Sequence, residues 1–175
     1  MSDPIVIVPM AVAPIDLVVE EQAVTAAGAT LTALPPASRW SLRARTPEKL
    51  AEVLGQPVPA RIGEAQGGIA CIGPDEWFAD LPAGTSLPLG AGEPVSVVDV
   101  SSRGVAFEVE GEKAAWVISA GCALDIANFA VGRVTRTMFE TAEIILWRTG
   151  ETSFRVFAWR SFGPWLWNAL KAVEA

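Results

Sequence analysis

Histidine is missing from all 175 residues. Imidazole is the usual general base near neutral pH, so its absence excludes Ser–His and Cys–His nucleophile pairs and most catalytic zinc sites. Lysine is scarce: three occur, with ten scattered arginines and a net charge of −7. Binding to phosphate backbones needs clustered cations, so nucleic acid is not an expected partner. Only two cysteines occur, Cys71 and Cys122, far apart and without CxxC spacing. They read as buried free thiols in a reducing cytosol. There is no long unbroken apolar run. Pro9 and Pro14 interrupt the apolar start, which carries no positive charge, so neither a secretory signal nor a bilayer span is expected. The chain therefore reads as cytoplasmic. Glycine is dense only at Gly67-Gly68 and Gly90-Ala91-Gly92, and neither spot makes a dinucleotide fingerprint or a phosphate loop.

What remains is a hydrophobic chain, 51% by residue, with a mean hydropathy of +0.36. That supports a single domain burying roughly 70% of its unfolded surface, with apolar surface left over for a partner. Residues 1–37 hold four acidic residues and no basic one. They read as an extended arm, packed either on a neighbouring subunit or on the chain's own body. Pro35-Pro36 marks the start of a compact domain over 38–175, with a possible internal boundary in the proline- and glycine-rich loop 81–94.

Within the body, 39–45 alternates as a strand with Trp40, Leu42 and Ala44 on one face. Thr46-Pro47-Glu48 opens a helix whose stripe is Leu50, Val53 and Leu54, closed by Gly55. Strands are expected at 68–72 and 76–80, then at 95–100 and 104–110. A helix follows over 111–120, then a strand at 133–139. A hairpin joins 144–148 to 154–159 across Thr149-Gly150-Glu151. Ser161 is placed to cap a last helix whose core stripe is Phe162, Leu166, Ala169, Leu170 and Val173. The order contains two β-α-β-β-like units, which suggests a weak internal duplication. It argues an α+β fold of mixed, mostly antiparallel sheets with helices packed on their faces.

No side-chain constellation names a reaction. Glu110 and Glu112 complement a helix start, and Glu140 and Glu143 bracket a turn. Ser101-Ser102-Arg103 has no base in view. Asp75-Glu76-Trp77 sits at the mouth of a hairpin, where it either recognises a partner or forms a capped turn. Trp159, Trp165 and Trp167, with Arg148, Arg155 and Arg160, have the composition of an interface, though tryptophan also serves as core. Trp165 and Trp167 project about 200° apart on a helix, so one of them is expected outside. Asp75, Glu76, Trp77, Arg148, Trp159, Arg160, Trp165 and Trp167 are the candidate subunit-interface residues.

Three stretches together resemble the gamma subunits of heterotetrameric sarcosine oxidases: Gly73-Pro74-Asp75-Glu76-Trp77, Val98-Asp99-Val100-Ser101-Ser102-Arg103, and the block 144–170 containing ILWRTGETSFRV. The similarity runs with gaps from Trp40 to Leu170. It extends to the aminomethyltransferase group, whose folate-binding domain the fold is expected to resemble, through Asp99-Val100-Ser101 and Gly111-Glu112-Lys113-Ala114. Where catalytic members carry an Asn-Gly-Gly…Asp-Asp stretch that positions folate, this chain has Glu140-Thr141-Ala142-Glu143-Ile144-Ile145. The resemblance thus implies the fold and argues against local folate chemistry. It implies an accessory subunit, with no active site of its own, partnered by alpha, beta and delta chains. In that family the assembly oxidatively demethylates sarcosine to glycine, yielding hydrogen peroxide and a one-carbon unit. FAD, FMN, NAD, tetrahydrofolate and zinc are then expected on the other subunits. The alternatives are a stand-alone folate-binding protein of the aminomethyltransferase type and a generic protein-interaction module.

Overall fold

The computed structural model describes residues 23–90 and 92–174. Among the described residues, eleven strands form two sheets in which every pairing is antiparallel. The chain runs β1 (Ala23–Ala26), β2 (Ala29–Ala33), β3 (Ser38–Ala44), α1 (Pro47–Leu54), β4 (Ala65–Gln66), β5 (Ile69–Gly73), β6 (Glu76–Leu81) and β7 (Val95–Asp99). It continues through β8 (Gly104–Glu110), α2 (Ala114–Ser119), β9 (Val134–Phe139), β10 (Ala142–Gly150), β11 (Ser153–Trp159) and α3 (Gly163–Lys171). One sheet has the order β4-β5-β6-β3-β7, the other β1-β2-β8-β11-β10-β9.

Period-two alternation decides what each sheet face meets. Trp40, Leu42 and Ala44 of β3, with Trp77, Ala79 and Leu81 of β6, pack beneath Leu50 and Leu54 of α1. Val105, Phe107 and Val109 of β8, with Phe154, Val156 and Ala158 of β11, pack beneath α2 and α3. The alternate residues turn the other way. Phe78 meets Phe157 edge-to-face at 5.0 Å between ring centres, and both join Ala106 in a small core between the sheets. The layers are therefore helix, sheet, sheet, helix. Each large apolar side chain taken fully from water contributes roughly 1.5–3 kcal/mol, and Phe107, Phe139, Phe154, Leu146 and Leu166 are all in that class.

The duplication expected from element order is written into the sheets. The units β3-α1-β4-β5-β6 and β8-α2-β9-β10-β11 have the same spatial order, first strand beside last. The strand preceding each unit crosses to the other sheet, β2 lying on β8 and β7 on β3. The strand after loop 81–94, β7, thus completes the sheet begun before it.

The arm expected over 1–37 also changes. Residues 1–22 lie outside the described part. Residues 23–33, however, form a hairpin through Ala27 (φ 51°) and Gly28 (φ 85°), with Ala29, Leu31 and Ala33 buried. Smaller differences sit at element ends. Thr46 caps α1 by accepting from the Lys49 N–H, and Gly55 ends it at φ 68°. At the last helix, a 3-10 turn over Arg160–Phe162 takes the place of a Ser161 cap. Phe162 is exposed, and Trp167 occupies the core in its stead, 5.3 Å from the Phe107 ring. Thr149 and Gly150 lie within a bulged β10, which moves the turn to 151–152. Both thiols are free and buried. No helix among the described residues is long and apolar enough to cross a membrane.

Candidate functional site

The inward sheet faces bring charged residues together. Asp80 on β6 accepts from Arg39 Nε at 3.1 Å and from Arg155 Nη1 at 2.9 Å, so it binds its own sheet and the opposite one. Arg155 also reaches Glu108 at 3.7 Å. Arg39 lies over the Phe157 ring and donates to the Gly104 carbonyl. Burial lowers the proton affinity of its guanidinium, against the opposing pull of Asp80. A second cluster lies nearby, where Glu76 pairs with both Arg43 and Arg136. Arg136 is held above the usual arginine value, first by its hydrogen bond to Glu76.

Between these clusters the sheets leave a cleft of about 100 Å³, whose walls include Ile72, Phe78, Ile145 and Phe157. Its arginines and carboxylates are committed to one another. A general acid or base needs a proton-exchanging group within reach of a substrate, and this arrangement offers structural ion pairs instead. Ser101 is likewise engaged: its N–H donates to Asp99 Oδ1 at 2.8 Å, and its Oγ accepts from the Arg39 N–H at 2.9 Å. Asp99-x-Ser101 is therefore the turn that carries the chain from one sheet to the other. Among the described residues, no group of three or more acids or cysteines could hold a metal ion.

The candidate interface residues divide sharply. Trp77 is a core side chain whose indole N–H donates to the Pro59 carbonyl at 2.8 Å. Trp167 is core as well, and Arg148 ties down the Phe129, Gly150 and Glu151 carbonyls. Asp75 is exposed and pairs with Arg43, while Glu76 is held in its ion pairs. Trp159, Arg160 and Trp165 are exposed, as is Phe162 between them in sequence, and Trp159 and Arg160 line one groove. The three aromatics are 46%, 42% and 37% exposed in the order Trp159, Phe162, Trp165. A groove at this end is lined by Arg103, Trp159, Arg160, Ser161 and Pro164. Arg103 was not anticipated. The signal for it is register: Gly104 faces Trp159 across β8 and β11, so the residues just beyond, Arg103 and Arg160, flank one strand end.

The model of the sarcosine oxidase, gamma subunit family matches residues 50–175. The chain belongs to that family. The gamma subunit of sarcosine oxidase from Arthrobacter sp. is 34% identical over 138 residues, 69% of this chain and 68% of the relative. That from Corynebacterium sp. strain U-96 is 32% identical over 142 residues, 72% and 69% of the two chains. Among solved structures, a chain of the heterotetrameric sarcosine oxidase from Corynebacterium sp. U-96 in complex with pyrrole 2-carboxylate superposes with a TM-score of 0.73. It is 29% identical, with 88% of this chain and 91% of that one covered. The glycine cleavage system aminomethyltransferase T from Bartonella henselae gives a TM-score of 0.64 at 15% identity, over 85% of this chain and 46% of that one. This second likeness bears on fold alone: the gamma-family chain has an aminomethyltransferase-like fold.

Proposed function

We propose that the chain is an accessory subunit of a heterotetrameric sarcosine oxidase, docking on alpha, beta and delta subunits that carry the chemistry. The reaction is then oxidative demethylation of sarcosine to glycine, with hydrogen peroxide formed and the one-carbon unit passed to tetrahydrofolate. In this reading FAD, FMN, NAD, tetrahydrofolate and zinc sit on the other subunits, and this chain supplies fold and contact surface. The observation that supports it most is the superposition on nearly the whole of a chain from such an assembly. The charged groups of the inter-sheet cleft are paired with one another, which supports a structural part for them.

The test is a pull-down of the tagged full-length chain from its native host, with an absorbance spectrum and mass identification of the eluate. The expected result is yellow, flavin-bearing material with two larger chains and one smaller one. A colourless, solitary 18.5 kDa chain would overturn the proposal.

A further inference from the structure

The groove at the β11–α3 junction has a charge pattern that the fold itself does not explain. Arg103 and Arg160 stand just past the last register pair of β8 and β11 and line the same groove. Neither guanidinium has a hydrogen-bond or ion-pair partner among the described residues. Like charges facing one another across strand ends destabilise the pair, and the arginines that line the inter-sheet cleft are by contrast matched. Arg39 and Arg155 meet Asp80, while Arg43 and Arg136 meet Glu76. Between and beside the two unmatched cations lie Trp159 and Pro164, with Phe162 and Trp165 exposed on the same turn and helix start. Tryptophan and arginine are enriched among interface hot spots, and an arginine fork grips a carboxylate in bidentate fashion. The positive patch also sits on a chain of net charge −7. It is a place where an acidic partner can approach without repulsion.

We infer that this groove is a docking site for an extended, carboxylate-bearing segment of a partner subunit, its acids on Arg103 and Arg160 and its apolar side chains on Trp159 and Pro164. The inference rests on the proposed membership of a hetero-oligomer and specifies where one contact lies and what chemistry it takes.

The experiment is co-expression of the tagged chain with the remaining subunits of its own oxidase. Assembly affinity is measured at low and high salt for the native chain, R103E/R160E, and the control R45E on another exposed surface. The expected result is affinity weakened roughly 100-fold or more by the double reversal, a reduced salt dependence, and no change for R45E. Assembly of the native chain with unchanged affinity for R103E/R160E would overturn the docking site while leaving the subunit reading intact. Failure of the native chain to assemble would overturn both. Two further results would also overturn it. One is an arginine-dependent homodimer of the isolated chain, which assigns the groove to a second copy. The other is a lowered melting temperature of isolated R103E/R160E, which assigns the arginines to this chain's own acids.

Discussion

Asp80 is the residue whose loss should cost this fold most for its size. Its side chain is 7% exposed and that of Arg39 only 4%, so neither charge has water to fall back on. The Asp80→Asn variant keeps volume and shape but removes the negative charge that both Arg39 and Arg155 face. Removing one partner of a buried ion pair costs about 3–5 kcal/mol, because the other charge stays desolvated. Arg39 is the sharper case: burial already depresses its proton affinity, and Asp80 is what opposes that effect. Arg155 is about a third exposed and recovers part of its loss from solvent, which places the expected total near the lower bound, about 3 kcal/mol.

At this chain length 1 kcal/mol moves the melting temperature by about 2–4 °C, so Asp80→Asn should melt roughly 6–12 °C below the native chain. Urea unfolding should show the same loss as a shifted midpoint with an unchanged slope. The double variant Arg39→Met with Asp80→Leu is the companion measurement. A buried pair replaced by apolar side chains is often neutral, so this variant should be more stable than Asp80→Asn alone. A loss under about 1 kcal/mol for Asp80→Asn would refute the reasoning, since it would mean that the inter-sheet charges are hydrated.

A Cβ at Gly121 would stand 2.5 Å from the fully buried Phe139 ring, so Gly121→Ala should lose about 2 kcal/mol by overpacking, read from urea unfolding. Ala27 adopts φ 51° ahead of Gly28. Ala27→Asn creates the Asn-Gly pair this hairpin turn favours and should raise stability by about 0.5–1 kcal/mol in the same assay. Cys71 and Cys122 are buried, and burial raises the Cys71 pKa. Neither thiol should react with Ellman's reagent at pH 8 until the chain unfolds. Glu48 is held below the usual carboxylate range by its own backbone N–H and the Thr46 hydroxyl, Glu52 by Lys49, and Asp125 by Asn128. A depressed folded pKa adds stability above the unfolded value, and that stability is lost as pH falls through the folded one. Between about pH 5 and pH 3, the melting temperature of E48Q/E52Q/D125N should therefore fall less than that of the native chain.

Much of the fold was legible because its strands alternate strictly and its first helix carries explicit start and stop residues. The antiparallel α+β class, the α1 cap and the repeated unit all follow from local pattern. What was hidden depends on partners distant in sequence. The β1–β2 hairpin is alanine-rich, with low intrinsic strand preference, and it is held by pairing with β8 some eighty residues away. Period two places Trp77 beside Ala79 and Leu81 in the core, although the Gly73-Pro74 turn and Asp75 just before it belong to the surface. In α3 the spacing Gly163, Leu166, Trp167, Leu170 is a full i, i+3, i+4, i+7 stripe. Leu166 and Leu170 of the expected stripe are buried, with Ala169 and Val173 packed against the same core, and only Phe162 gives way, to Trp167. Of the candidate interface, residue type put forward Trp159, Arg160 and Trp165, which are exposed, whereas the place of Arg103 beside Arg160 shows only in the strand register.

The duplication also explains why the exposed aromatics collect where they do. Position by position, Arg43 opposite Glu76 in one unit corresponds to Glu108 opposite Arg155 in the other, the same charge pair with its signs exchanged. Phe78 and Phe157 are equivalent, and they meet each other between the sheets. Near the pseudo-symmetry centre, then, the two units satisfy one another. The equivalence fails at the strand ends: Arg39 opposite Asp80 corresponds to Gly104 opposite Trp159. The first pair is buried and charged, the second open and aromatic. β6 runs on into the loop that leads to β7, whereas β11 runs directly into a 3-10 turn and α3. The second unit therefore ends in a surface that the first unit has no counterpart to cover. Trp159, Phe162 and Trp165 are exposed at that end, and Trp159 lines a groove there with Arg103 and Arg160.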